Sequence, residues 1–382
     1  MRIWIQNQYD NLPCEGLRKQ RFWLMCEAFA AAGHEVVFWT SDFSHAKKEK
    51  RTVDVAALRD ASGFDVRLIP TLPYSKNIGL ARVRSHRAYA AEWASAARAE
   101  PPPDVVISAI PSISAAEAAL TLARQFGAKF VLDVQDAWPE TFERLAPAGL
   151  RWVARLLLTP LRRRARRLYR AADLVTGVCE RYRALTERAD YSCAYLGIDL
   201  SQSRRPAATR DGSSVRLVYA GNMGRSYDLK TVVAGVQKLC EEGLNATLDV
   251  AGFGGDGDWG AAADNVRFRG LLPQKDLQEL LDACDIGVIP MTADSWVGIP
   301  NKLCDYARAG LAVVSSLSGE TEELLKKYNC GVTYRAGDAA SFADAVRTAR
   351  TLPSGNSRKL AEAEFDAARI YHAYAAHVLA VV

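Results

Sequence analysis

Two arrays of short apolar strands alternate with helical segments, and this alternation restricts the possible folds of the chain more than any other feature. Strands separated by helices at this spacing predict parallel β-α-β units and a doubly wound sheet. A second array of the same kind begins at residue 215. The strand-like runs of the first array are residues 1–6, 34–40, 64–69, 104–110, 129–134 and 172–178.

The two arrays predict two domains. A chain of 382 residues is long for one hydrophobic core and suits two. Residues 200–214, between the arrays, are rich in Ser and Arg and contain a Pro and a Gly, which is the composition of a linker. We therefore expect an α/β protein with Rossmann-like domains at 1–199 and 215–357 that face each other across a cleft. Apolar residues at helical spacing predict one amphipathic helix over about 358–382.

The composition is that of a globular protein in a reducing compartment. Hydrophobic residues make up 49% of the chain, and no apolar run approaches the roughly 20 residues that a bilayer-spanning helix requires. Residues 1–10 lack the apolar core of a signal peptide, so we expect a cytoplasmic protein. The eight cysteines are dispersed and form no CxxC pair, which predicts reduced thiols, no disulfides and no structural metal.

One segment carries most of the positive charge. Nine arginines and no acidic residue lie between Glu143 and Asp173, although the net charge of the whole chain is only +5. Leucines and Trp152 lie among them, so we predict that the segment rests on an anionic membrane surface. The alternative is a solvated helix face, and few interleaved aromatic residues argue against nucleic acid as a partner. The predicted membrane contacts are Arg151, Arg155, Arg162, Arg163, Arg166, Arg167 and Arg170.

Residues 285–316 contain the clearest candidate for a binding site. Two apolar runs at the ends of this stretch predict strands. Pro300 suits the first turn of a helix and Gly310 suits its C-terminal cap, so we predict a helix from about Asn301 to Ala309. The stretch is therefore a strand-loop-helix-strand unit.

A polar cluster is predicted at the start of this helix, because Asn301, Lys302 and Asp305 share one side of it. Backbone amides, the positive end of the helix dipole and the ammonium of Lys302 would hold a phosphate. The Asp305 carboxylate would accept hydrogen bonds from sugar hydroxyls. We interpret the cluster as half of a nucleotide-sugar site. The alternative is that Lys302 and Asp305 form an ordinary surface pair.

A second candidate site follows the predicted strand at 129–134. Asp136 lies beyond the carboxyl end of that strand, where open parallel sheets bind ligands, and Trp138 and Glu140 follow it. A carboxylate at this position could bind sugar hydroxyls or transfer a proton. The alternative is that Asp136 is an N-cap and Pro139 opens the next helix.

Several segments, in this order, resemble glycosyltransferase family 4 along nearly the whole chain. They are the N-terminal glycine loop with its helix, GHEVVFWTS, VLDVQDAWPE, ADLVTGVCE, YLGIDL, VYAGNMG, VAGFG, VRFRGLL and IPNKLCDYARAG. The last resembles a variant common in transferases that build bacterial surface polysaccharides. The resemblance implies the GT-B fold, a retaining mechanism without a metal, and a terminal helix that packs back on the first domain.

The resemblance also implies a role for individual residues. In the family, the second domain binds the donor, a nucleotide diphosphate sugar, and the first carries the acceptor. The implied donor-binding residues are Gly221, Asn222, Gly224, Gly252, Phe253, Gly254, Arg269, Leu271, Gly298, Ile299, Pro300, Asn301 and Asp305. The implied acceptor-side residues are Glu15, Gly16, Arg18, Trp138 and Glu140.

Two departures from the family shift the expected catalytic roles. Val297 stands where the family has the first of two glutamates, and Asp305 replaces the second. The basic pair that grips the diphosphate is also missing, so we expect Arg225 and Lys302 to replace it, with Asp136 as the third catalytic residue.

The predicted reaction is transfer of a sugar, with retention, from a UDP-sugar or GDP-sugar to a hydroxyl of a glycan or lipid-linked oligosaccharide. The diphosphate leaves with electrostatic help from cations and amides, and no cofactor is needed beyond the nucleotide sugar. The alternatives are a sugar-nucleotide 2-epimerase or a non-catalytic nucleotide-sugar-binding subunit. The active-site constellation of carboxylates and histidine that such an epimerase uses is not visible around any of the five histidines, which argues against the epimerase.

Overall fold

The computed structural model describes residues 1–76, 79–144, 146–201, 214–224, 226–254, 264–293 and 295–381. These residues form two compact units, each with a parallel sheet and helices packed on it. The first unit comprises Met1–Tyr195 and the residues from Ala368 onward, and the second comprises Leu196–Ala367. The predicted α/β class with two Rossmann-like domains is therefore confirmed. Most of the predicted linker at 200–214 lies outside the described residues.

Seven parallel strands and one short hairpin are described in the first unit. The strands are β1 (Arg2–Gln6), β2 (Glu35–Ser41), β3 (Phe43–Ser44), β4 (Glu49–Lys50), β5 (Asp65–Ile69), β6 (Val105–Ile110), β7 (Lys129–Val134), β8 (Leu174–Gly177) and β9 (Ser192–Cys193). The sheet order is β5-β2-β1-β6-β7-β8-β9, and each neighbouring pair is parallel. The hairpin pairs β3 with β4 antiparallel.

Helices follow most of these strands. They are α1 (Arg21–Ala31), α2 (Val55–Ser62), α3 (Leu80–Ala97), α4 (Ile113–Phe126), α5 (Glu140–Glu143), α6 (Arg151–Leu157), α7 (Thr159–Ala171) and α8 (Arg181–Thr186), with short 3-10 helices at Pro13–Glu15 and Ala148–Leu150. Burial of β1, β2 and β6 against helices explains their nearly continuous apolar sequences. Trp4 lies at the centre of this core, with its ring centroid 5.5 Å from Trp39 and 5.7 Å from Phe126.

A buried ion pair joins α1 to β7. The Arg21 guanidinium donates to both carboxylate oxygens of Asp133, at 3.0 Å and 2.7 Å, and to the carbonyl of Ala194 at 2.7 Å. The Thr176 hydroxyl donates to the same carboxylate at 2.7 Å. The guanidinium also lies 5.6 Å from the ring centroid of Tyr374. Both charges are therefore buried with their hydrogen-bonding groups engaged, as a charge in a protein core requires.

The second unit has a six-stranded parallel sheet in its described residues. The strands are β10 (Ser214–Ala220), β11 (Asn245–Ala251), β12 (Val266–Gly270), β13 (Ile286–Ile289), β14 (Ala312–Ser315) and β15 (Gly331–Thr333). Their order is β12-β11-β10-β13-β14-β15. The helices are α9 (Leu229–Glu241), α10 (Gln274–Asp282), α11 (Asn301–Ala309), α12 (Glu320–Lys327), α13 (Ala339–Ala349) and α14 (Asn356–Glu364).

The C-terminal segment is two helices, so the prediction of one helix over about 358–382 is wrong. Helix α14 ends at Glu364, and α15 begins at Ala367 and ends at Val381. Between them the buried Phe365 carbonyl accepts from the amide of Ile198 at 2.8 Å, and the Ala367 amide donates to the Ile198 carbonyl at 3.1 Å. These long-range bonds replace helical ones, which a local apolar pattern cannot indicate. The residues from Ala368 onward belong to the first unit.

Candidate functional site

Helix α11 begins and ends where the sequence predicts. Pro300 has extended backbone angles at the N-cap, and the Leu303 amide donates to its carbonyl at 2.9 Å. Gly310 closes the helix in the left-handed conformation, with φ 70°. Proline has no polar side-chain group to cap the amides that follow it. The positive end of the helix dipole is consequently suited to an external anion.

Lys302 lies inside the second unit, so the alternative interpretation, an ordinary surface pair with Asp305, is wrong. Its side chain is 8% exposed, and its Nζ lies 4.1 Å from the ring centroid of Tyr227 and 4.9 Å from that of Tyr219. Burial lowers the pKa of Lys302 to about 8, and the charge of Asp305 opposes this shift. The two tyrosine rings stabilise the ammonium through their π faces. Asn301 is exposed and Asp305 is half-buried.

Two glycine turns pack on each other at the carboxyl ends of β10 and β11, and the first of them lies against this ammonium. A Cβ at Gly221 would lie 2.5 Å from the Nζ of Lys302, and a Cβ at Gly252 would lie 1.8 Å from the carbonyl oxygen of Gly221. Both glycines have positive φ, 134° and 144°. The turns are joined by a 3.0 Å hydrogen bond from the Met223 amide to the Phe253 carbonyl. Only glycine permits this close approach of backbone to backbone and to the cation.

The other predicted donor-side residues lie around these turns. The Asn222 side-chain oxygen would meet a Cβ at Gly224 or Gly254 at 3.2 Å or 3.0 Å. In the loop before α11, Gly298, Ile299 and Pro300 are buried, and the Thr321 hydroxyl donates to the Gly298 carbonyl at 2.5 Å. Arg225 lies outside the described residues. The structure thus gathers the glycine turns, Lys302 and the start of α11 at one edge of the sheet.

Apolar side chains are exposed beside the glycine turns. Phe253, Phe268 and Leu271 are 54%, 55% and 74% exposed. The Gly252 amide donates to the Gly270 carbonyl at 2.8 Å, which places these residues next to one another. Arg269 is directed elsewhere: its Nε donates to the buried Asp249 carboxylate at 2.7 Å. Aromatic faces at this edge suit a planar base better than water.

Two tyrosines whose rings pack against the Lys302 ammonium were not identified as site residues from the sequence. Tyr219 and Tyr227 lie on either side of the first glycine turn, and their ring centroids are 5.7 Å apart. The hydroxyl of buried Tyr306 accepts from the Ala220 amide at 3.0 Å and donates to the Val288 carbonyl at 3.3 Å, which fixes the start of the turn. The available signal was one tyrosine before and one after a glycine turn.

In the first unit, Glu15 is engaged in structural contacts. Its carboxylate accepts from Nε of Arg51 at 3.1 Å and from the Leu12 amide at 2.6 Å. Gly16 follows in the left-handed conformation with φ 69°. Glu15 borders a pocket of about 630 Å³ that Lys47, Lys50 and Arg51 also line. Arg18 is half-buried nearby, and its carbonyl accepts from the Asn11 side chain at 3.4 Å.

The Asp136 carboxylate lies beyond the end of β7, as predicted. It accepts from the Thr141 hydroxyl at 3.3 Å, and burial raises its pKa although that hydrogen bond and the charge of Arg82 oppose the shift. The N-cap alternative is wrong, since the following helix α5 has Pro139 at its N-cap position. The Trp138 ring packs on Phe142 with centroids 4.4 Å apart.

The arginine-rich segment is less uniformly charged in three dimensions than in sequence. Arg162, which is 15% exposed, forms ion pairs with Glu140 and Glu143. Arg155 contacts Glu143 at 3.2 Å but stays largely exposed. Large apolar side chains project from the same region: Leu150, Trp152, Leu156 and Leu157 are 54–74% exposed. Arg163, Arg166, Arg167 and Arg170 are exposed on α7, and Arg151 is half-buried.

Neither a metal centre nor a membrane span is evident in the residues that the structure describes. Within those residues, no three His, Cys, Asp or Glu side chains come together in a way that could hold a metal ion. No described helix combines the length and hydrophobicity needed to cross a bilayer.

Each of the two units matches a known family model. Residues 19–192 match the family model described as "Glycosyl transferase 4-like domain", and residues 214–351 match "Glycosyl transferases group 1". No curated protein sequence matches the chain.

Solved structures match over the whole length. Sucrose-phosphate synthase from Thermosynechococcus elongatus is 14% identical with a TM-score of 0.74, covering 100% of this chain and 98% of that one. HepE from Anabaena in complex with UDP-glucose is 14% identical with a TM-score of 0.65 and complete coverage of both chains. A glycosyltransferase from Rickettsia africae is 12% identical, with a TM-score of 0.62 and coverage of 99% and 97%. The chain therefore belongs to the GT-B glycosyltransferases of the family 4 type.

Proposed function

We propose that this glycosyltransferase moves a sugar, with retention of anomeric configuration, from a UDP-sugar to a hydroxyl of a glycan or lipid-linked oligosaccharide. The observation that carries the proposal is the buried ammonium of Lys302, which lies beside the Gly221 turn and near the start of α11. A GDP-sugar is the second candidate donor. The complex of the structurally similar HepE with UDP-glucose supports the choice of uridine.

The diphosphate of the donor would lie on the Lys302 ammonium and on amides of the glycine turns and of α11. Negative charge grows on the leaving oxygens as the glycosidic bond breaks, so a cation held beforehand in a buried position lowers the barrier. Burial lowers the pKa of Lys302, and the negative charge of a bound phosphate would raise it again. This is expected of an ammonium whose counter-ion is a ligand. Arg225 is proposed as the second cation of the diphosphate.

The remainder of the donor fits the surrounding residues. The ribose hydroxyls would donate to the Asp305 carboxylate, which lies one turn along α11 from the ammonium. Phe253 and Phe268 would cover the base, since aromatic side chains at this edge are exposed to solvent. Attack would occur from the face of the leaving group, with the departing phosphate taking the acceptor proton. Asp136 would orient the acceptor hydroxyl in the first unit.

Substitution of Lys302 tests the donor site. We expect Lys302→Met to reduce kcat for sugar transfer by about 100- to 1,000-fold, the range seen when one preorganised charge-stabilising donor is lost. Calorimetry with UDP and with GDP should show weaker binding of the preferred nucleotide. The matched control is Lys275→Met, since Lys275 is an exposed lysine of the same unit and should leave both measurements unchanged.

The same assays separate the alternatives. Unaltered turnover and UDP affinity in Lys302→Met would remove the basis of the proposal. UDP binding without transfer or hydrolysis of any donor would favour a non-catalytic binding subunit. Conversion of the donor sugar to its 2-epimer would favour the epimerase.

We also propose that α6 and α7 rest on the anionic inner face of the cytoplasmic membrane. Trp152, Leu156 and Leu157 would enter the interface while exposed arginines of α7 contact lipid phosphates. Vesicle flotation should therefore increase with the anionic lipid fraction and fall with salt. Arg163→Glu should weaken flotation, whereas Arg335→Glu, an exposed arginine of the second unit, should not. Flotation that is independent of anionic lipid would contradict this assignment.

A further inference from the structure

Six side chains of the first unit form a cluster that the proposed reaction does not use. Its members lie after the carboxyl ends of β1, β2 and β5 and on the first two turns of α3, which is the sheet edge where open parallel sheets bind ligands. We call it the histidine cluster. It consists of Tyr9, His45, Lys48, Tyr74, Arg82 and His86.

Hydrogen-bond donors converge on both imidazoles. The Tyr9 hydroxyl contacts Nε2 of His86, and Nε of Arg82 donates to the same nitrogen at 3.3 Å. A guanidinium can only donate, so Nε2 accepts and His86 is neutral. At the other imidazole, Nδ1 of His45 is 2.5 Å from the Tyr74 hydroxyl and 3.2 Å from Nζ of Lys48.

The second imidazole is neutral for the same reason, because an ammonium also only donates. Burial and the nearby cations lower the pKa of His45 and of His86 to about 3, in agreement with these geometries. Burial, and after it the charge of Arg82, lowers the pKa of Lys48 to about 8. The cluster therefore carries two positive charges near neutral pH, those of Arg82 and Lys48. The charge of Arg82 also lowers the pKa of Asp136, against the larger effect of burial.

Aromatic rings shape the site around these charges. The guanidinium carbon of Arg82 lies 5.2 Å from the ring centroid of Tyr9 and 5.4 Å from that of Trp138. Lys48 has a left-handed backbone with φ 60°, which is uncommon for a residue other than glycine. Nζ of Lys48 lies 4.8 Å from the Tyr74 ring centroid. Stacking holds the cations in place while their N–H groups stay directed at polar partners.

We propose that the histidine cluster binds an anionic group of the sugar acceptor, a carboxylate or a phosphate, between Arg82 and Lys48. This inference rests on the proposed transfer function and assigns a chemical class to its acceptor. Guanidinium, ammonium and hydroxyl donors would turn from the imidazole lone pairs to the anion oxygens, which form stronger charge-assisted hydrogen bonds. A uronic acid and a phosphorylated or lipid-diphosphate-linked sugar both offer such a group.

Matched sugars and matched variants test the assignment. The full chain, saturated with UDP to occupy the donor site, would be titrated with glucose, glucuronic acid and glucose 6-phosphate by saturation-transfer NMR. We expect at least one anionic sugar to bind about tenfold or more tightly than glucose, and Arg82→Gln or Lys48→Gln to remove that preference. Preference for glucuronic acid would identify a carboxylate, and preference for the ester a phosphate.

The controls are Arg84→Gln and Arg87→Gln on α3, since both residues are exposed cations outside the cluster. They should keep the preference. Equal binding of all three sugars, or equal losses in the controls, would overturn the assignment. UDP affinity is measured separately, because it tests the proposed function. If the protein binds UDP normally but binds all three sugars equally, only the inference about the acceptor is refuted.

A pH profile adds a readout that a structural role would not change. His45, Tyr74 and Arg82 are among the charged and titratable groups that act on Lys48, whose own pKa lies at about 8. Anion affinity should therefore fall as the pH rises above about 8. Lys48→Arg should keep affinity and abolish this fall, because arginine stays charged. An unchanged profile in Lys48→Arg would count against a contact between Lys48 and the anion.

Discussion

Arg21 and Lys302 are both buried cations, but their surroundings differ in kind. The Arg21 guanidinium meets both oxygens of Asp133 and a backbone carbonyl, and the charge of Asp133 raises its pKa although burial opposes the shift. The Lys302 ammonium lies over two tyrosine rings beside a glycine turn, and its pKa falls to about 8. The first cation therefore has its counter-ion within the fold, and the second is stabilised less well than it would be in water.

This difference indicates which buried charge supports the fold and which supports binding. A fixed bidentate pair locks α1 to β7 and leaves no hydrogen-bonding role for a ligand. A desolvated ammonium costs folding free energy, and a bound anion would recover that cost. Stability measurements should therefore respond to changes at Arg21, and nucleotide binding should respond to changes at Lys302.

The largest expected effect is the loss of the Arg21 pair. Arg21→Met leaves Asp133 as an uncompensated buried charge, so we expect the free energy of unfolding to fall by about 3–5 kcal/mol. Chemical denaturation, followed through the unfolding transition of the first unit, measures this loss of free energy. Arg124→Met, which breaks the partly exposed pair with Asp173, is the control and should cost about 1 kcal/mol or less. Equal losses would mean that burial does not distinguish the two pairs.

Gly252→Ala should have the next largest effect. The new methyl would overlap the Gly221 carbonyl, so the two glycine turns must separate, at a cost of about 1–3 kcal/mol. UDP affinity, measured by calorimetry, should fall with it. Gly337→Ala is a control in the same unit, because Gly337 also has positive φ but has open space around its Cα. If both variants kept full UDP affinity, the close approach of the turns would be irrelevant to binding.

Lys302→Met should leave stability unchanged or increase the free energy of unfolding by about 1 kcal/mol. The reason is that an uncharged side chain of similar length replaces a desolvated charge. Thermal and chemical denaturation of the two proteins without nucleotide would measure the difference. A loss of several kcal/mol would place Lys302 with Arg21 as a structural cation and erase the contrast.

A smaller, pH-dependent effect should accompany that change. The folded-state pKa of Lys302, about 8, lies below its ordinary value of 10.5, so the folded state binds fewer protons between these values. The free energy of unfolding should therefore rise with pH from about 8 to about 10.5, relative to Lys302→Met. Parallel denaturation series across this range test the sign, and a difference that falls with pH would contradict the assigned burial of the charged form.

Features set by neighbouring residues could be predicted from the sequence. Pro300 and Gly310 fix the ends of α11 through their own backbone preferences, and the glycine turns follow the strands that precede them. The side of α11 that holds Lys302 could not be predicted, because it depends on Tyr219 and Tyr227, which lie more than 70 residues earlier in the chain.

Distance along the chain also explains why the histidine cluster was not found from the sequence. His45 and His86 lie in separate polar segments, and neither segment indicates the contacts that the fold gives them. His86 meets Tyr9, which is 77 residues away, and His45 meets Tyr74, which is 29 residues away. The loops after parallel strands bring such residues to one sheet edge, and single-segment patterns contain no record of that meeting.

The return of α15 to the first unit affects the order in which the protein can mature during synthesis. Tyr371, Tyr374 and Val378 are buried, and the Tyr374 ring packs against Phe29. During synthesis, residues 1–195 emerge from the ribosome before the residues of α15 are added. The apolar face that α15 covers therefore stays exposed on the first unit while residues 196–367, which are continuous in sequence, emerge and fold. Truncation after Ala367 would thus damage the oldest part of the chain, and the intervening segment is the better candidate for expression alone.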